Sequence, residues 1–368
     1  MLDSNFHPHV SLLILFSLPL LVPSRKTPVL NHDSSQANVI CGRYSYGSAR
    51  LQRFIDAERG CNISGISKLK EYFHRFGYLP LKNDSLSDLF DMEFEFAVSQ
   101  YQKKFGLPVT AKLDVDTLNQ IATPRCGEPD RVGKFVHLTE NYVYFTGKPK
   151  WSREKPITLT YAFSPQNLID YLSLQDIRSV FKRAFSRWAS VVPITFVETT
   201  DYGFADIRIG FYAGDHGDGE PFDGVLGILA HSFSPENGKL HLDAAERWAI
   251  DFGSEQSKVA VDLESVAVHE IGHLLGLAHT SVKGAVMYPS LKPRERRVDL
   301  TLDDVKGAQS LYGSKHNFKD GSLLVSDSTS TNEAANNLAG AHVLGTNWKS
   351  PNFGYFFMLL GLSMMLVI

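Results

Sequence analysis

The stretch Ser265-Val-Ala-Val-His269-Glu270-Ile-Gly-His273-Leu-Leu-Gly276-Leu-Ala-His279-Thr-Ser-Val-Lys-Gly-Ala-Val-Met287-Tyr-Pro-Ser290 decides how the whole chain is read. His269 and His273 are four residues apart. On a helix that spacing puts both imidazoles on one face, one turn apart, within reach of a single metal ion. Glu270 stands beside the first histidine and can hold a water on that metal without being a ligand. Gly276 can end the helix, because glycine accepts the left-handed conformation of a sharp turn. The returning chain then brings in His279. Three neutral imidazoles leave the fourth position of a tetrahedral zinc open, which marks a catalytic site. Met287, in Ala-Val-Met-Tyr-Pro, falls where a tight turn can pass beneath the metal. Three histidines on one apolar helix-turn are costly to bury without a partner.

Outward from this centre, the 368 residues are enough for two domains. A net charge of −3 gives no reason to expect nucleic acid or an anionic surface as partner. There are three cysteines, Cys41, Cys61 and Cys126, and the odd count in a secreted chain flags one thiol with separate chemistry. Cys126 lies in Pro124-Arg125-Cys126-Gly127-Glu128-Pro129-Asp130, where two prolines and a glycine keep the segment extended and out of a helix. A thiolate is a good zinc ligand, so Cys126 can take the position that catalysis needs for water and hold the chain latent.

The pattern H-E-x-x-H-x-x-G-x-x-H with its downstream methionine resembles the metzincin metallopeptidases. With Pro124–Asp130 and the His216–Glu246 region described below, it resembles more closely a matrix metalloproteinase of the short plant type, over roughly residues 60–313. That resemblance implies an α+β catalytic domain at 135–313, built as a twisted mixed five-stranded sheet with three helices. It implies a propeptide at 24–134 that carries a small all-α prodomain, similar to peptidoglycan-binding modules, at about 60–122. Segment 124–130 matches the family's cysteine switch, with Arg125 and Asp130 paired to hold its shape. By position in the family, His216, Asp218, His231 and His241 hold a closed, structural zinc. Asp223, Asp243 and Glu246, with carbonyls of Gly224, Leu226 and Ile228, form an oxygen cage for calcium. Asp206 matches one ligand of a second calcium, but the loop from His231 to His241 is shorter than the typical animal version and lacks that site's aspartate and glycine cluster. The family comparison also makes Lys134-Phe135 a candidate activation cut, with the new ammonium of Phe135 pairing with Asp303.

The local patterns agree with this division. Ile66, Leu69, Tyr72, Phe73 and Phe76 fall at helical spacing before Gly77, and Phe94, Val98, Tyr101 and Phe105 repeat it before Gly106. A third, shorter helix starts at Asp116. Ile157–Phe163, Pro193–Glu198 and Ala205–Phe211 read as strands, with an amphipathic helix from Ile177 to Trp188 between the first two. Thr301 and Asp304 cap a last helix that Gly313 ends. Val10–Val22 reads as the core of a signal peptide spanning 1–23. Asn62 and Asn83 begin glycosylation sequons, and Cys41 with Cys61 can pair in an oxidising compartment. Residues 314–340 read as a flexible stalk. Residues 341–368 read as a removed signal for a glycosylphosphatidylinositol anchor, with a tail anchor as the rival.

The expected function is therefore a secreted zinc endopeptidase, anchored at the outer face of the plasma membrane and activated by another protease. Tyr288-Pro289 would form one wall of the pocket for the residue after the scissile bond. Ser265, small where a larger residue can plug that pocket, suggests a deep apolar site and cleavage of extracellular proteins before bulky apolar residues. Edge strand Gly227–His231 would hold the substrate extended, and Glu270 would move the water's proton. Two alternatives stay open. One is an anchored binding protein with a metal-stabilised but silent domain, and the other an astacin-like peptidase, against which the Pro-Arg-Cys-Gly segment argues.

Overall fold

The computed structural model describes residues 51–80, 86–130, 143–316 and 318. The expected signal peptide, Cys41, Asn83, the Lys134-Phe135 bond, the stalk beyond residue 318 and the anchor signal lie outside them.

The first part is three helices wrapped on an aromatic core. Helix α1 (Ile66–Arg75) buries Ile66, Leu69 and Phe73. Helix α2 (Met92–Lys104) starts where the Asp91 carboxylate accepts the Phe94 amide at 2.8 Å, and buries Phe94, Val98 and Tyr101. Helix α3 (Val115–Ile121) is capped in the same way by Asp114 on Thr117. Such caps satisfy amides that the first turn leaves without partners. Phe73 meets Phe94 and Tyr101 at 5.1 Å between ring centroids. Asn62 is exposed on this domain, whereas Cys61 is buried in its core and is not free.

The chain then adds a short strand, β1 (Arg125–Cys126), and after it β2 (Val143–Tyr144). The second part follows as β3 (Ile157–Phe163), α4 (Leu174–Val191), β4 (Ile194–Glu198), β5 (Ile207–Tyr212), β6 (Ile228–Ser232) and β7 (Lys239–Asp243). The short pair β8 (Trp248–Ala249) and β9 (Val261–Asp262) leads into α5 (Leu263–Leu274). Strand β10 (Leu277–Ala278) pairs antiparallel with β2, and α6 (Leu302–Tyr312) is last. The main sheet runs β1-β6-β7-β5-β3-β4. All its pairings are parallel except β6 with β7. The five strands β3 to β7 are the sheet that the resemblance implies; the sixth, β1, is lent by the switch segment.

One buried core joins sheet and helices. Phe181, Phe185 and Trp188 of α4 pack with Leu159, Ile207 and Ile209 of the sheet and with Val268 and Ile271 of α5. Polar anchors within that core fix α5. The Trp188 indole donates to the Val268 carbonyl at 2.8 Å, and the Trp151 indole to the Leu274 carbonyl at 2.7 Å. Gly276 adopts φ +101°, and a Cβ there would lie 2.2 Å from the Pro149 carbonyl oxygen, so this turn requires glycine. The Asp304 carboxylate, in a capping box with Thr301, also accepts the Val286 and Met287 amides at 2.9 and 3.0 Å. Helix α6 thereby holds the Met287 turn under α5.

Gly272 sits where α5 meets that turn. A Cβ there would be 2.2 Å from the Met287 sulfur and 3.0 Å from the Trp188 ring. Gly272→Ala is expected to destabilise the fold by about 1–3 kcal/mol through overpacking, read as a lowered urea midpoint. An unchanged midpoint would show that the turn has room to move.

Candidate metal centre and active site

Helix α5 presents His269 and His273, and the Gly276 turn presents His279. Each ring is oriented from behind. His269 Nδ1 meets the Val286 carbonyl at 2.6 Å, His273 Nδ1 the Leu277 carbonyl at 2.8 Å, and His279 Nδ1 an Asp130 carboxylate oxygen at 2.9 Å. An acceptor behind Nδ1 places the proton there and leaves each Nε2 a bare lone pair. The three Nε2 atoms face one another at 3.1, 3.2 and 3.3 Å. Burial keeps all three rings neutral, lowering His269 and His273 far below the usual histidine range and His279 to about 4. Three lone pairs converging at this distance repel unless a cation sits between them. Zinc bonds of about 2.0–2.1 Å in a tetrahedron set nitrogens about 3.3–3.4 Å apart, so the donors fit zinc.

Cys126 completes the cluster, with its sulfur 3.4 Å from His273 Nε2. Burial, with Glu270 adding to it, raises the thiol well above its ordinary value. Only a cation at the cluster makes this sulfur a thiolate. Both Glu270 carboxylate oxygens are buried without a hydrogen-bond partner, and burial raises that carboxyl to about 7. A carboxyl poised near neutrality and facing a site for water has the properties of a general base.

The switch segment lies between two walls. The Arg125 and Gly127 amides donate to the Gly227 and Ala230 carbonyls at 3.0 and 2.8 Å, and the Cys126 amide to the Pro289 carbonyl at 2.9 Å. Arg125 and Asp130 form a buried two-pronged ion pair at 3.0 and 2.7 Å. The guanidinium also stacks 3.5 Å from the Phe76 ring centroid, and the Tyr78 hydroxyl donates to Asp130 at 2.7 Å. Burial alone would raise the Asp130 carboxyl, but Arg125 and His279 hold it well below the usual carboxylate range. The sequence suggested the Arg125–Asp130 pair; it gave no sign that Asp130 also orients His279.

A second cluster joins His216, Asp218, His231 and His241. One Asp218 oxygen lies 2.8 Å from a ring nitrogen of each histidine. Those nitrogens are 3.1 and 3.3 Å apart for His216–His241 and His231–His241. Burial would raise Asp218, but the Glu220 amide and His231 outweigh it and keep the carboxylate charged. Burial brings His231 and His241 down to about 4. Four converged donors with no open side suit a closed structural zinc.

The calcium set joins the segment 223–228 to Asp243 at the end of β7 and to Glu246. The Gly224, Leu226 and Ile228 amides donate to the Asp243, Glu246 and Asp223 carboxylates at 3.2, 2.6 and 2.7 Å. Burial raises Glu246 to about 7 and raises Asp243 too, and one Glu246 oxygen is buried without a partner. A cation relieves each of these features, and an all-oxygen set suits calcium. Asp206, matched by position to a second calcium, is partnered within the chain. It accepts the Thr160 amide and hydroxyl at 2.8 and 2.9 Å and pairs with Arg153 at 3.3 Å. Arg153 also pairs with Glu236 at 2.6 Å, so a guanidinium from the chain bridges the carboxylates of this corner.

Beside Cys126 and Glu270 opens a pocket walled by Leu229, Val266, Val286, Tyr288, Pro289 and Leu291. Ser265 and Arg297 also line it. Asp303 has one buried oxygen without a partner, while its expected partner Phe135 lies outside the described residues.

With this geometry in hand, comparison with known proteins gives a consistent answer. Residues 150–313 match the Matrixin peptidase family, and residues 63–121 a putative peptidoglycan binding domain. The chain is 60% identical over 272 residues to metalloendoproteinase 4-MMP of Arabidopsis thaliana, covering 73% of this chain and 78% of the relative. It is 48% identical over 360 residues to metalloendoproteinase 1-MMP of the same plant, covering 96% of each. Metalloendoproteinase 1 of Glycine max is 44% identical over 279 residues, covering 74% of this chain and 90% of the relative.

Two zinc ions per chain are expected by native mass spectrometry, and one in His231→Ala. Retention of both ions in that variant would overturn the second ligand set. The sign of the pH effect in the metal-free chain also follows. His231 and His241 have folded pKa values of about 4 against an ordinary 6.5. Their contribution to stability is complete above 6.5 and is lost as the unfolded chain takes up protons towards pH 4. The thermal midpoint of the chelated chain should fall over that interval.

Proposed function

The chain belongs to the matrixin family and is a zinc metalloendopeptidase acting on protein substrates, and from that premise we propose that it is made as a secreted zymogen blocked by Cys126. Membership removes both alternatives that the sequence left open, a silent binding protein and an astacin-like peptidase. The observation that carries the proposal is the convergence of the Cys126 sulfur with three histidine nitrogens, all within 4.8 Å of one another.

His269, His273 and His279 would hold the catalytic zinc, and Cys126 would fill the remaining position until the switch leaves. Zinc, when bound, polarises the scissile carbonyl and makes water acidic enough to attack near neutral pH. Glu270 takes the proton of the attacking water on a carboxylate oxygen and returns it to the leaving amine. The Gly227, Ala230 and Pro289 carbonyls, which the switch occupies, become free to pair with an extended substrate. The apolar walls beside Glu270 support a bulky apolar residue after the scissile bond. Secretion rests on the apolar run Val10–Val22, and anchoring at the outer face of the plasma membrane on the tail Phe353–Ile368, a lipid anchor being favoured over a tail anchor. An activating protease would cut near Lys134-Phe135.

The test is hydrolysis of a quenched peptide with leucine after the scissile bond, using the full zymogen with and without a thiol-reactive mercurial and a zinc chelator. Activity should appear with the mercurial and vanish with the chelator. Cys126→Ser should be active without the mercurial. Glu270→Gln should keep its zinc and lose turnover by at least about a hundredfold. A latent Cys126→Ser variant would sink the switch, and an active, zinc-loaded Glu270→Gln variant would sink the base.

A further inference from the structure

Strand β6 packs against α5 and ends at Ser232. In its ladder with β7, His231 stands opposite His241 and Ser232 opposite Leu240. Directly opposed residues share a face of the sheet. His231 therefore faces the second metal cluster with His241. Ser232 shares the other face with Leu240, which is buried in the core that joins sheet and helices. On that side the Ser232 hydroxyl lies beside the Glu270 carboxyl. Burial raises this carboxyl, and the Ser232 hydroxyl and the Cys126 sulfur next to it favour its charged form. The Ser232 oxygen and both Glu270 oxygens are buried, and none has a hydrogen-bond partner among the described residues. The two groups are close without being aligned. A buried hydroxyl left unpaired costs stability, so its presence at this spot calls for a reason other than packing.

We propose that Ser232 is a positioning residue for the general base: once Cys126 has left, its hydroxyl donates to one Glu270 oxygen and turns the other towards the attacking water. This deepens the reading above and rests on Glu270 as the base and Cys126 as the latch. Three physical points carry it. A carboxylate can rotate, and only orientations with an oxygen on the water are productive. A donor on one oxygen fixes the plane of the group and leaves the lone pairs of the other free to take the proton. Of the two side chains beside Glu270, only Ser232 belongs to the peptidase half, on β6, and remains when Cys126 departs. Ser232 itself exchanges no proton. The proton passes from water to Glu270 and on to the leaving amine, as above.

The experiment measures kcat and KM of the mercurial-activated full chain on the leucine peptide, with zinc content and thermal midpoint, for the wild type, Ser232→Ala, Glu270→Gln and the double variant. Ser232→Ala should lower kcat by about tenfold and leave KM within about twofold of the wild type. Its zinc content should be unchanged and its thermal midpoint unchanged or raised, because the lost hydroxyl had no partner. In the Glu270→Gln background the same substitution should change kcat by less than about twofold, because a group that acts through Glu270 has no separate effect. An unchanged kcat in Ser232→Ala overturns the proposal and leaves the base intact. An equal loss in the Glu270→Gln background also overturns it, since Ser232 would then act independently of the base. A lowered midpoint, lost zinc or failure to fold would give the hydroxyl a structural role and overturn it as well. Failure of the underlying reading looks different. A wild type that the mercurial does not activate removes the latch, an active, zinc-loaded Glu270→Gln removes the base, and the proposal falls with either.

Discussion

Three imidazole nitrogens point their lone pairs at one spot, and most of the architecture holds them there. Each proton is pinned on the far side of its ring, on the Val286 carbonyl, the Leu277 carbonyl or Asp130. The packing that supplies those acceptors is extensive. Val286 belongs to the turn that Asp304 fixes. Leu277 lies in β10, just beyond the Gly276 turn against Pro149. Trp151 and Trp188 hold the helix that carries the first two ligands. Such outer partners set tautomer and ring direction, which decides whether a metal binds. Remove the cation and the arrangement becomes a set of buried, mutually repelling dipoles beside an unpartnered carboxylate. The fold and its metal are therefore one thermodynamic object.

Asp130 couples this centre to the prodomain. One carboxylate accepts from Arg125, Tyr78 and His279. Such a fully satisfied buried ion pair contributes shape more than net energy, because the desolvation cost offsets much of the attraction. Its geometric effect is large. It bends the switch so that the Cys126 sulfur meets the cluster while the flanking amides pair with β6 and Pro289. The prodomain core adds area to the same contact. Phe222, Ile228 and Tyr288 of the peptidase half are buried among its aromatic residues, and Lys104 reaches the His279 carbonyl at 2.8 Å.

Much of this could be read from the sequence, and the division has physical causes. The helices of the prodomain and α4, α5 and α6 announce themselves through period, caps and glycine stops, because these are local signals. The residues of the first zinc cluster follow from side-chain type in a fixed order, and those of the second from their positions in the family that the motif resembles. The corner around Asp206 did not follow, because Arg153 is fifty-three positions away and only the folded sheet edge brings the two together. The same holds for Tyr78 on Asp130 and for Arg297 in the pocket. A lone tyrosine just past a helix, or a lone arginine in a charged loop, carries no periodicity, so its role exists only after the chain has closed. The sixth strand was hidden for a related reason: a two-residue pairing is too short to leave a pattern.

The three zinc ligands are also unequal in a way that bears on activation. His269 and His273 lean on carbonyls of the peptidase half itself. His279 leans on Asp130, which would depart with its segment under the proposed activation. In this structure the third ring is buried, neutral and held by a carboxylate; after such a departure its Nδ1–H would face whatever fills the vacated space. Water can accept that proton, but a bond to a charged acceptor is worth about 1.5–3 kcal/mol, so the exchange loosens the ring. The ring then depends on the zinc itself and on the Gly276 turn for its direction. Under the proposed latency, one segment would do two things: Cys126 would block the metal, and Asp130 steadies the histidine that local structure supports least.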